Sequence, residues 1–305
     1  MSIKQAKTPQ ELAASAFARG LPSTIALSMG ETAYWYYPAT SAPETTIDGP
    51  NSTKTILLVH GYRGNHHGLE AIAGALTEFN VVIPDLPGFG ESAGFTGKYN
   101  IAKYAAWLLE LVERLPIQPT AVLGHSFGSI VTASAAANGL NCPIVFLNPI
   151  SSFGRTGAKR VLAALQNGFY SLGGWLPDKA GNALLSWPVA VRFMSVYLTK
   201  SRNKSLRNWI HQQHNDNFSD YLDRRVLIEG IRAGEEASVV DFAPNISQPV
   251  LVIAAEHDDV TALSDQMRLV TLFSNAQFRL LNGVGHLTHY ETPNEVAELV
   301  KGFLN

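Results

Sequence analysis

Short, continuous hydrophobic runs alternate along this chain with stretches in which apolar residues recur at helical spacing. Because the runs lack an alternating polar face, they predict strands that are buried on both faces of a parallel sheet. Ile101, Tyr104 and Leu108 show the helical spacing. Such strands are predicted at residues 55–59, 81–83, 121–124, 144–147, 250–253 and 278–281, and such helices at residues 69–79, 101–115 and 293–303. The alternation indicates an α/β fold with a mostly parallel, eight-stranded sheet that helices cover on both faces.

The N-terminal part of the chain supplies the remaining strands of that sheet. Residues 9–17 predict a short helix. Residues 25–29 and 32–37 predict an antiparallel hairpin that turns at residues 30–31. Residues 39–52 are rich in Pro, Thr and Ser and predict a surface loop.

One long segment, residues 151–245, breaks the alternation of strands and helices. It contains no strand-like run, but helix-like stretches occur at residues 158–165, 188–198, 205–214 and 221–231. We therefore expect a core made of residues 1–150 and 246–305, with a helical cap of residues 151–245 inserted after the sixth strand. Most of the cap's aromatic side chains are expected to form its own core. A minority are expected to face the sheet edge where ligands bind in open α/β folds.

Composition limits the function classes. The formal net charge of −2 and the lack of a Lys/Arg block give little support to a nucleic-acid or membrane partner. The single cysteine, Cys142, excludes an intrachain disulfide and is typical of a reducing compartment. No apolar run is long enough to span a bilayer, and the start lacks a secretory apolar segment. We expect a cytoplasmic protein that acts on a small molecule. The sequence leaves open whether it forms a homodimer.

The strongest candidate for chemistry is Ser126, at the centre of the G-x-S-x-G motif of residues 124–128. A predicted strand ends at Gly124 and a helix-compatible run begins at Phe127. A serine on such a sharp turn exposes its hydroxyl, and the turn directs the next amide, that of Phe127, toward developing negative charge. The same pattern at residues 90–94 follows a Pro-Gly loop and precedes no helix, so Ser92 is expected to be a loop serine.

A nucleophilic serine needs a base and an orienting carboxylate, and both are expected beyond later strand ends. His286 follows the last predicted strand in a glycine-containing loop, and Asp258 follows the strand before it. The chain order of serine, acid and histidine is that of the nucleophile-elbow fold. Asp259 is the nearest rival for the acid, whereas Asn148 is neutral and cannot be that carboxylate.

The segment after the first buried strand is the candidate for a second oxyanion donor. In residues 60–62, Gly61 lets the backbone turn so that the amide of Tyr62 faces the site beside that of Phe127. His60 is expected to pack the loop rather than to act in catalysis, and His125 is expected to pack beside the elbow.

The histidine pairs do not predict a metal site. His66 and His67 are adjacent and are expected to point apart. His211 and His214 have helical spacing, but no fourth ligand is offered, so a solvated helix face is expected. We expect neither a metal nor a cofactor.

Taken together, these motifs resemble the α/β-hydrolase family. Residues 60–62 resemble its oxyanion segment, residues 85–92 its D-x-P-G-x-G-x-S loop, residues 124–128 its elbow, residues 255–258 its acid loop, and residues 285–286 its histidine loop. The cap has no counterpart in this comparison, and Ala255 stands where the family's acid loop usually has glycine. The resemblance implies a Ser126–His286–Asp258 triad. The serine argues against the branches of the family that use an aspartate nucleophile.

The leading functional hypothesis is hydrolysis of a carboxylic ester with a small to medium apolar or aromatic acyl group, through an acyl-enzyme. Amide, thioester or C–C bond hydrolysis, or perhydrolysis, on the same triad is the alternative. His257 precedes the acid where the C–C hydrolases often carry tryptophan, which weakens that alternative. A non-catalytic binding module is a third hypothesis, and the intact triad counts against it.

Overall fold

The computed structural model describes residues 6–40, 53–151 and 157–305. Within them, eight strands form one sheet in the order β1-β2-β4-β3-β5-β6-β7-β8. The strands are β1 Leu21–Leu27, β2 Gly30–Tyr37, β3 Thr55–Val59, β4 Asn80–Pro84, β5 Ala121–His125, β6 Ile144–Leu147, β7 Val250–Ala255 and β8 Ala276–Leu281. Strands β3 to β8 are parallel, and β1 and β2 are antiparallel. The predicted fold class is confirmed.

Helices cover both faces of the sheet. The helices are α1 Pro9–Phe17, α2 Glu70–Ala75, α3 Ile101–Arg114, α4 Phe127–Ala137, α5 Gly157–Trp175, α6 Asp178–Leu185, α7 Pro188–Leu198, α8 Lys204–Asn217, α9 Arg224–Glu236, α10 Val239–Phe242, α11 Leu263–Val270, α12 Thr288–Glu291 and α13 Pro293–Leu304. Strand β3 shows how the two layers share the sheet. Leu57 and Val59 pack with α3 and α4, whereas Ile56 and Leu58 pack with α2 and α13. This strand is buried along its whole length, as its hydrophobic run predicts.

The N-terminal hairpin differs from its prediction in register. Gly30 is the first residue of β2 and pairs with Leu27, so the turn is at Ser28 and Met29 rather than at residues 30–31. Gly30 has a φ of +131°, a conformation that side chains other than glycine rarely adopt. The glycine therefore marks the first strand residue after the turn. Residues 41–52 of the predicted surface loop lie outside the described residues.

Between β6 and β7 the described residues form helices α5 to α10, of which α6 and α10 were not predicted. Arg63, in the loop after β3, anchors this segment to the sheet. Its guanidinium donates to the carbonyl oxygens of Leu185, at 2.9 Å, and Phe218, at 3.0 Å. The division into a core and a separate cap stays a prediction.

Three aromatic side chains of this segment lie outside any core, whereas most of its aromatics were expected to form one. Trp175 is 83% exposed, Phe193 is 66% exposed and Trp187 is 50% exposed. On α7 the buried face consists of Val191, Ser195 and Leu198, so Phe193 projects from the opposite side. Periodicity locates a helix but does not say which of its two apolar faces finds a partner.

Candidate active site

The turn between β5 and α4 has the geometry that its G-x-S-x-G motif predicts. Ser126 has φ 52° and ψ −119°, between a strand that ends at His125 and a helix that begins at Phe127. A Cβ on Gly124 would lie 2.6 Å from the carbonyl oxygen of Gly128, and a Cβ on Gly128 would lie 2.6 Å from that of His60. Glycine is therefore required at both positions by backbone packing.

Three side chains from distant parts of the chain meet at this turn. The Oγ of Ser126 lies 2.8 Å from Nε2 of His286, and Nδ1 of His286 lies 2.9 Å from Oδ2 of Asp258. His286 and Asp258 are both buried. The serine, the histidine and the carboxylate thus form a continuous hydrogen-bonded chain.

Backbone amides hold the carboxylate of Asp258 in place. Its Oδ1 accepts from the amides of Val260, at 2.8 Å, and Thr261, at 3.0 Å. Burial by itself would raise the pKa of Asp258, but the charge and hydrogen bond of His286 together with these amides lower it below its ordinary value. Asp259 instead forms an ion pair with Lys200. The structure therefore brings Asp258, and not its rival, to His286.

The loop after β3 lies directly against the serine. A Cβ on Gly61 would lie 3.2 Å from Cβ of Ser126, so only glycine permits this approach without displacement. The Phe127 amide belongs to the first turn of α4, where helix amides have no partner within the helix. The side chains of Tyr62 and Phe127 line the cavity, and the Tyr62 hydroxyl donates to the carbonyl oxygen of Leu227 at 2.7 Å. The pair of amides as an oxyanion hole stays a prediction.

Asn148, which is neutral and therefore cannot be the acid of the triad, holds the loop that carries His286. It is fully buried and has a φ of +46°. Its Nδ2 donates to the carbonyl oxygens of His286, at 2.9 Å, and Gly285, at 3.2 Å. Its position after β6 was the available signal, because strand ends at this edge converge on the site.

Glu291 is a second residue that sequence reasoning missed. Its Oε1 accepts from the amides of Lys200 and Ser201, each at 2.7 Å, and its Oε2 accepts from the amide of Gly285 at 3.3 Å. One buried carboxylate thus joins the α7–α8 connection to the histidine loop. No local pattern marks it, because its partners lie far away in the sequence.

His60 packs the loop, as the sequence suggests. Its Nε2 accepts from the amide of Leu86 at 2.9 Å, so its Nδ1 is the protonated nitrogen and donates to the carbonyl oxygen of Gly61 at 2.8 Å. Burial lowers the pKa of His60 below its ordinary value. His60 therefore fixes the loop that carries Tyr62.

The expectations for the two histidine pairs are wrong. The rings of His66 and His67 lie 3.9 Å apart, and with Glu70 their ligand atoms lie within 4.8 Å of one another. Both imidazoles already contact carboxylates. Nδ1 of His66 lies 3.0 Å from Oδ1 of Asp85, and Nδ1 of His67 lies 3.3 Å from Oε1 of Glu70. The absence of a resident metal stays a prediction.

His211 and His214 do not form a solvated helix face. They are only 2% and 4% exposed. Their Nδ1 atoms lie 2.6 and 2.8 Å from Oγ of Ser195 on α7. The helical spacing places both rings on the buried side of α8, where one hydroxyl joins α7 to α8.

A cavity of about 600 Å³ lies beside Ser126. One wall is largely apolar and is formed by Phe127, Ile130, Ile150 and Ile231. Ring side chains with polar atoms also line the cavity, and five of them form a continuous series of ring contacts. These are His125, His214, His286, His289 and Tyr290. The cavity therefore offers two chemically different surfaces to a bound molecule.

Comparison with known proteins gives a consistent result. The sequence profile described as the alpha/beta hydrolase family matches residues 56–299. Lipase 3 of Moraxella sp. (strain TA144) is 26% identical over 254 residues, which are 81% of this chain and 76% of that protein. The pyrrolizixenacetamide deacetylase of Xenorhabdus hominickii is 25% identical over 253 residues, which are 82% of this chain and 90% of that protein.

Solved structures agree with this match at the level of the fold. The esterase EaEST of Exiguobacterium antarcticum superposes with a TM-score of 0.73 at 13% identity, over 93% of this chain and 99% of that one. A hydrolase from Pseudomonas aeruginosa PA01 superposes with a TM-score of 0.72 at 22% identity, over 93% and 98% of the two chains. In the described residues, no helix has the length and hydropathy needed to cross a membrane.

Proposed function

Since this chain belongs to the alpha/beta hydrolase family, we propose that it is a serine hydrolase that cleaves a carboxylic ester with a small to medium apolar or aromatic acyl group. The observation that carries the proposal is the hydrogen-bonded chain from Ser126 through His286 to Asp258, with distances of 2.8 and 2.9 Å. Relatives named as lipases support hydrolase activity.

In the proposed reaction, Ser126 attacks the ester carbonyl carbon while Nε2 of His286 takes the hydroxyl proton. The Asp258 carboxylate holds Nδ1–H of the imidazole and stabilises the imidazolium. The amides of Tyr62 and Phe127 would donate to the oxyanion of the tetrahedral intermediate. His286 then returns the proton to the leaving alkoxide, and the acyl group stays on Ser126.

Water completes the cycle. His286 takes a proton from a water molecule, whose oxygen attacks the acyl carbon, and the second tetrahedral intermediate collapses with return of the proton to Ser126. The carboxylic acid leaves and the enzyme is restored. No redox step occurs, and two proton transfers through one imidazole balance each half of the reaction.

The preference for an apolar acyl group rests on the wall formed by Phe127, Ile130, Ile150 and Ile231. Helix α9 approaches this wall closely because it has glycine where side chains would collide. A Cβ on Gly234 would lie 3.3 Å from the ring of Phe127. Burying an acyl chain there contributes about 0.8 kcal/mol for each CH₂ group.

Labelling with a fluorophosphonate probe tests the proposal, using the wild type, Ser126→Ala and Ser92→Ala. We expect one adduct on Ser126, lost in Ser126→Ala and retained in Ser92→Ala. A chain-length series of p-nitrophenyl esters then measures the size of the acyl site. A folded wild-type protein that forms no adduct would overturn the proposal and favour the binding-module hypothesis.

Amide hydrolysis is the second candidate, because one relative is named as a deacetylase of an acetamide. The same triad can cleave an amide when His286 protonates the leaving nitrogen. Comparing p-nitrophenyl acetate with p-nitroacetanilide separates the two: a higher kcat/KM on the anilide would reverse the order of the candidates.

A further inference from the structure

Two histidines and a glutamate that the proposed reaction does not use lie together where α2 begins. We call His66, His67 and Glu70 the His–His–Glu cluster. One possible ligand atom from each of these side chains lies within 4.8 Å of the other two. None of the three residues lines the cavity beside Ser126, so the cluster is separate from the candidate active site.

The ring of His66 is oriented in the way that metal-binding histidines are oriented. Its Nδ1 lies 3.0 Å from Oδ1 of Asp85, and Trp35 stacks on its face. A ring nitrogen that faces a carboxylate carries the proton, so Nε2 of His66 has the free lone pair. Histidines that bind a metal usually donate their second ring nitrogen to a carboxylate or carbonyl oxygen, which fixes the tautomer and the orientation of the ring.

His67 and Glu70 have the spacing of two ligands of one ion. Nδ1 of His67 lies 3.3 Å from Oε1 of Glu70. Zinc bonds of about 2.0–2.2 Å place two tetrahedral ligand atoms about 3.4 Å apart. The Tyr37 hydroxyl donates to Oε1 of Glu70 at 3.3 Å and helps to orient the carboxylate. The side chain of His67 is 29% exposed, so the cluster is open to solvent on that side.

The charges around the cluster favour a cation. The carboxylates of Asp85 and Glu70 are buried, with residue exposures of 0% and 5%. In the part of the chain that the structure describes, their ion pairs are with imidazoles and not with lysine or arginine. An imidazole carries a positive charge only when it is protonated, whereas buried charges in proteins are normally paired or coordinate a metal. A divalent cation would balance both carboxylates.

We propose that the His–His–Glu cluster binds one divalent transition-metal ion, with Zn²⁺ as the best match and water as the fourth ligand. Two imidazole nitrogens and one carboxylate oxygen suit Zn²⁺, whereas Ca²⁺ and Mg²⁺ prefer oxygen ligands throughout. The sequence-based expectation of no metal site here assumed that the rings of His66 and His67 point apart. The ion has no part in the proposed reaction, and it would link the start of α2 to β2 and to the loop after β4.

Isothermal titration of Zn²⁺ into the folded wild type, after treatment with EDTA and removal of the chelator, tests this inference. We expect one ion per chain with a Kd of about 10 μM or tighter. Ca²⁺ at the same concentrations should not bind. A wild type that does not bind Zn²⁺ in this range would overturn the inference, and so would a wild type that binds Ca²⁺ equally well.

Variants locate the ion. His67→Gln and Glu70→Gln should each weaken Zn²⁺ binding by about 100-fold or more, since even the loss of an outer-shell partner costs about 10–100-fold. The matched control is His257→Gln. His257 also faces a glutamate, Glu256 at 3.8 Å, but it belongs to no three-residue cluster in the described residues. This control should keep the wild-type Kd.

His67→Gln keeps the test decisive if Glu70→Gln does not fold, because His67 is the most exposed member of the cluster. Zn²⁺ should also raise the midpoint of thermal unfolding of the wild type, because an ion that binds only the folded protein stabilises it. The midpoint of His67→Gln should hardly change. An unchanged Kd in folded His67→Gln would overturn the assignment of the site.

The metal-binding inference stands or falls separately from the proposed hydrolase activity. Titration with Zn²⁺ needs no substrate, and the fluorophosphonate probe reports on Ser126 without the metal. Protein that labels but does not bind Zn²⁺ would leave the serine hydrolase and remove the metal site. Protein that binds Zn²⁺ through His67 but does not label would leave the metal site and remove the hydrolase.

Discussion

Two regions of this molecule carry the same motif and use it differently. In residues 124–128 the serine follows a buried strand and precedes a helix, with a φ of 52° and its Oγ 2.8 Å from His286. In residues 90–94 the serine lies in a loop. Oγ of Ser92 donates to the carbonyl oxygen of Asp85 at 2.7 Å and accepts from the amide of Ala33 at 2.9 Å. One hydroxyl faces a base, and the other joins a loop to a strand.

The glycines of the two motifs also serve different ends. Gly124 and Gly128 allow backbone to pack on backbone beneath the serine. Gly90 has a φ of +53°, and a Cβ there would lie 2.5 Å from Cγ of Asp85. The glycines of the G-x-S-x-G pattern therefore mark positions where no side chain fits. The elements before and after the motif decide whether its serine becomes a nucleophile.

The largest expected effect comes from removing the hydroxyl that faces the base. Ser126→Ala should lower kcat for ester hydrolysis by about 10⁶-fold, because no nucleophile remains for the acyl-enzyme route. The midpoint of urea unfolding should hardly change, because backbone packing holds the turn. Activity within tenfold of wild type would show that Ser126 is not the nucleophile.

The next effect tests the acid that orients the base. Asp258→Asn should lower kcat by about 10⁴-fold, because an amide can hold His286 in the wrong tautomer. Asp259→Asn is the matched control and should stay within about threefold, since Asp259 pairs with Lys200 near the surface. Equal losses in the two variants would contradict the assignment of Asp258.

Removing the hydroxyl of the other motif, that of Ser92, should change stability and not activity. Ser92→Ala should lower the free energy of unfolding by about 1–3 kcal/mol, because the buried amide of Ala33 and carbonyl of Asp85 each lose a partner. Fluorophosphonate labelling of Ser126 should persist. Urea unfolding followed by circular dichroism measures the first quantity, and an unchanged midpoint would show that the hydroxyl does not hold the loop.

A third serine, Ser195, bonds to a buried histidine, and this pair should make the stability of the protein depend on pH. The partner is His214, whose pKa burial lowers to about 3 from the ordinary 6.5. As the pH falls below 6.5, the unfolded chain gains a proton at this residue while the folded protein does not, so stability is lost between pH 6.5 and about 3.

At pH 5 this loss amounts to about 2 kcal/mol for His214. The difference in unfolding free energy between pH 7.5 and pH 5 should therefore shrink by about that amount in His214→Asn. Urea unfolding at pH 7.5 and pH 5 measures this difference. An identical difference in wild type and variant would show that the pKa of His214 is not lowered in the folded protein.

Much of the fold could be predicted because it depends on local pattern. Hydrophobic runs located β3 and β6 to the residue, and the helix-like stretches at residues 9–17 and 188–198 are α1 and α7. The hairpin register was misplaced because the glycine at residue 30 begins a strand instead of occupying the turn. The exposure of Phe193 on α7 was not predicted, because hydrophobicity does not reveal whether a helix face has a partner.

The sequence by itself predicted the parallel sheet and the convergence of Ser126, His286 and an acid from the loop after β7. Strand ends of a parallel sheet meet at one edge whatever the side-chain packing, so chain order was enough to nominate these residues. Only the tertiary structure decided between Asp258 and Asp259, since it places the first carboxylate against His286 and the second against Lys200.

The tertiary structure alone also joined Asn148 and Glu291 to the histidine loop and brought His125, His214 and His289 together around Tyr290. These three histidines come from β5, α8 and α12. No local pattern encodes their meeting, because it depends on how a helical segment and two loops pack across the sheet edge. Contacts of that range are fixed by the sum of packing over the whole chain, not by the preference of any one segment.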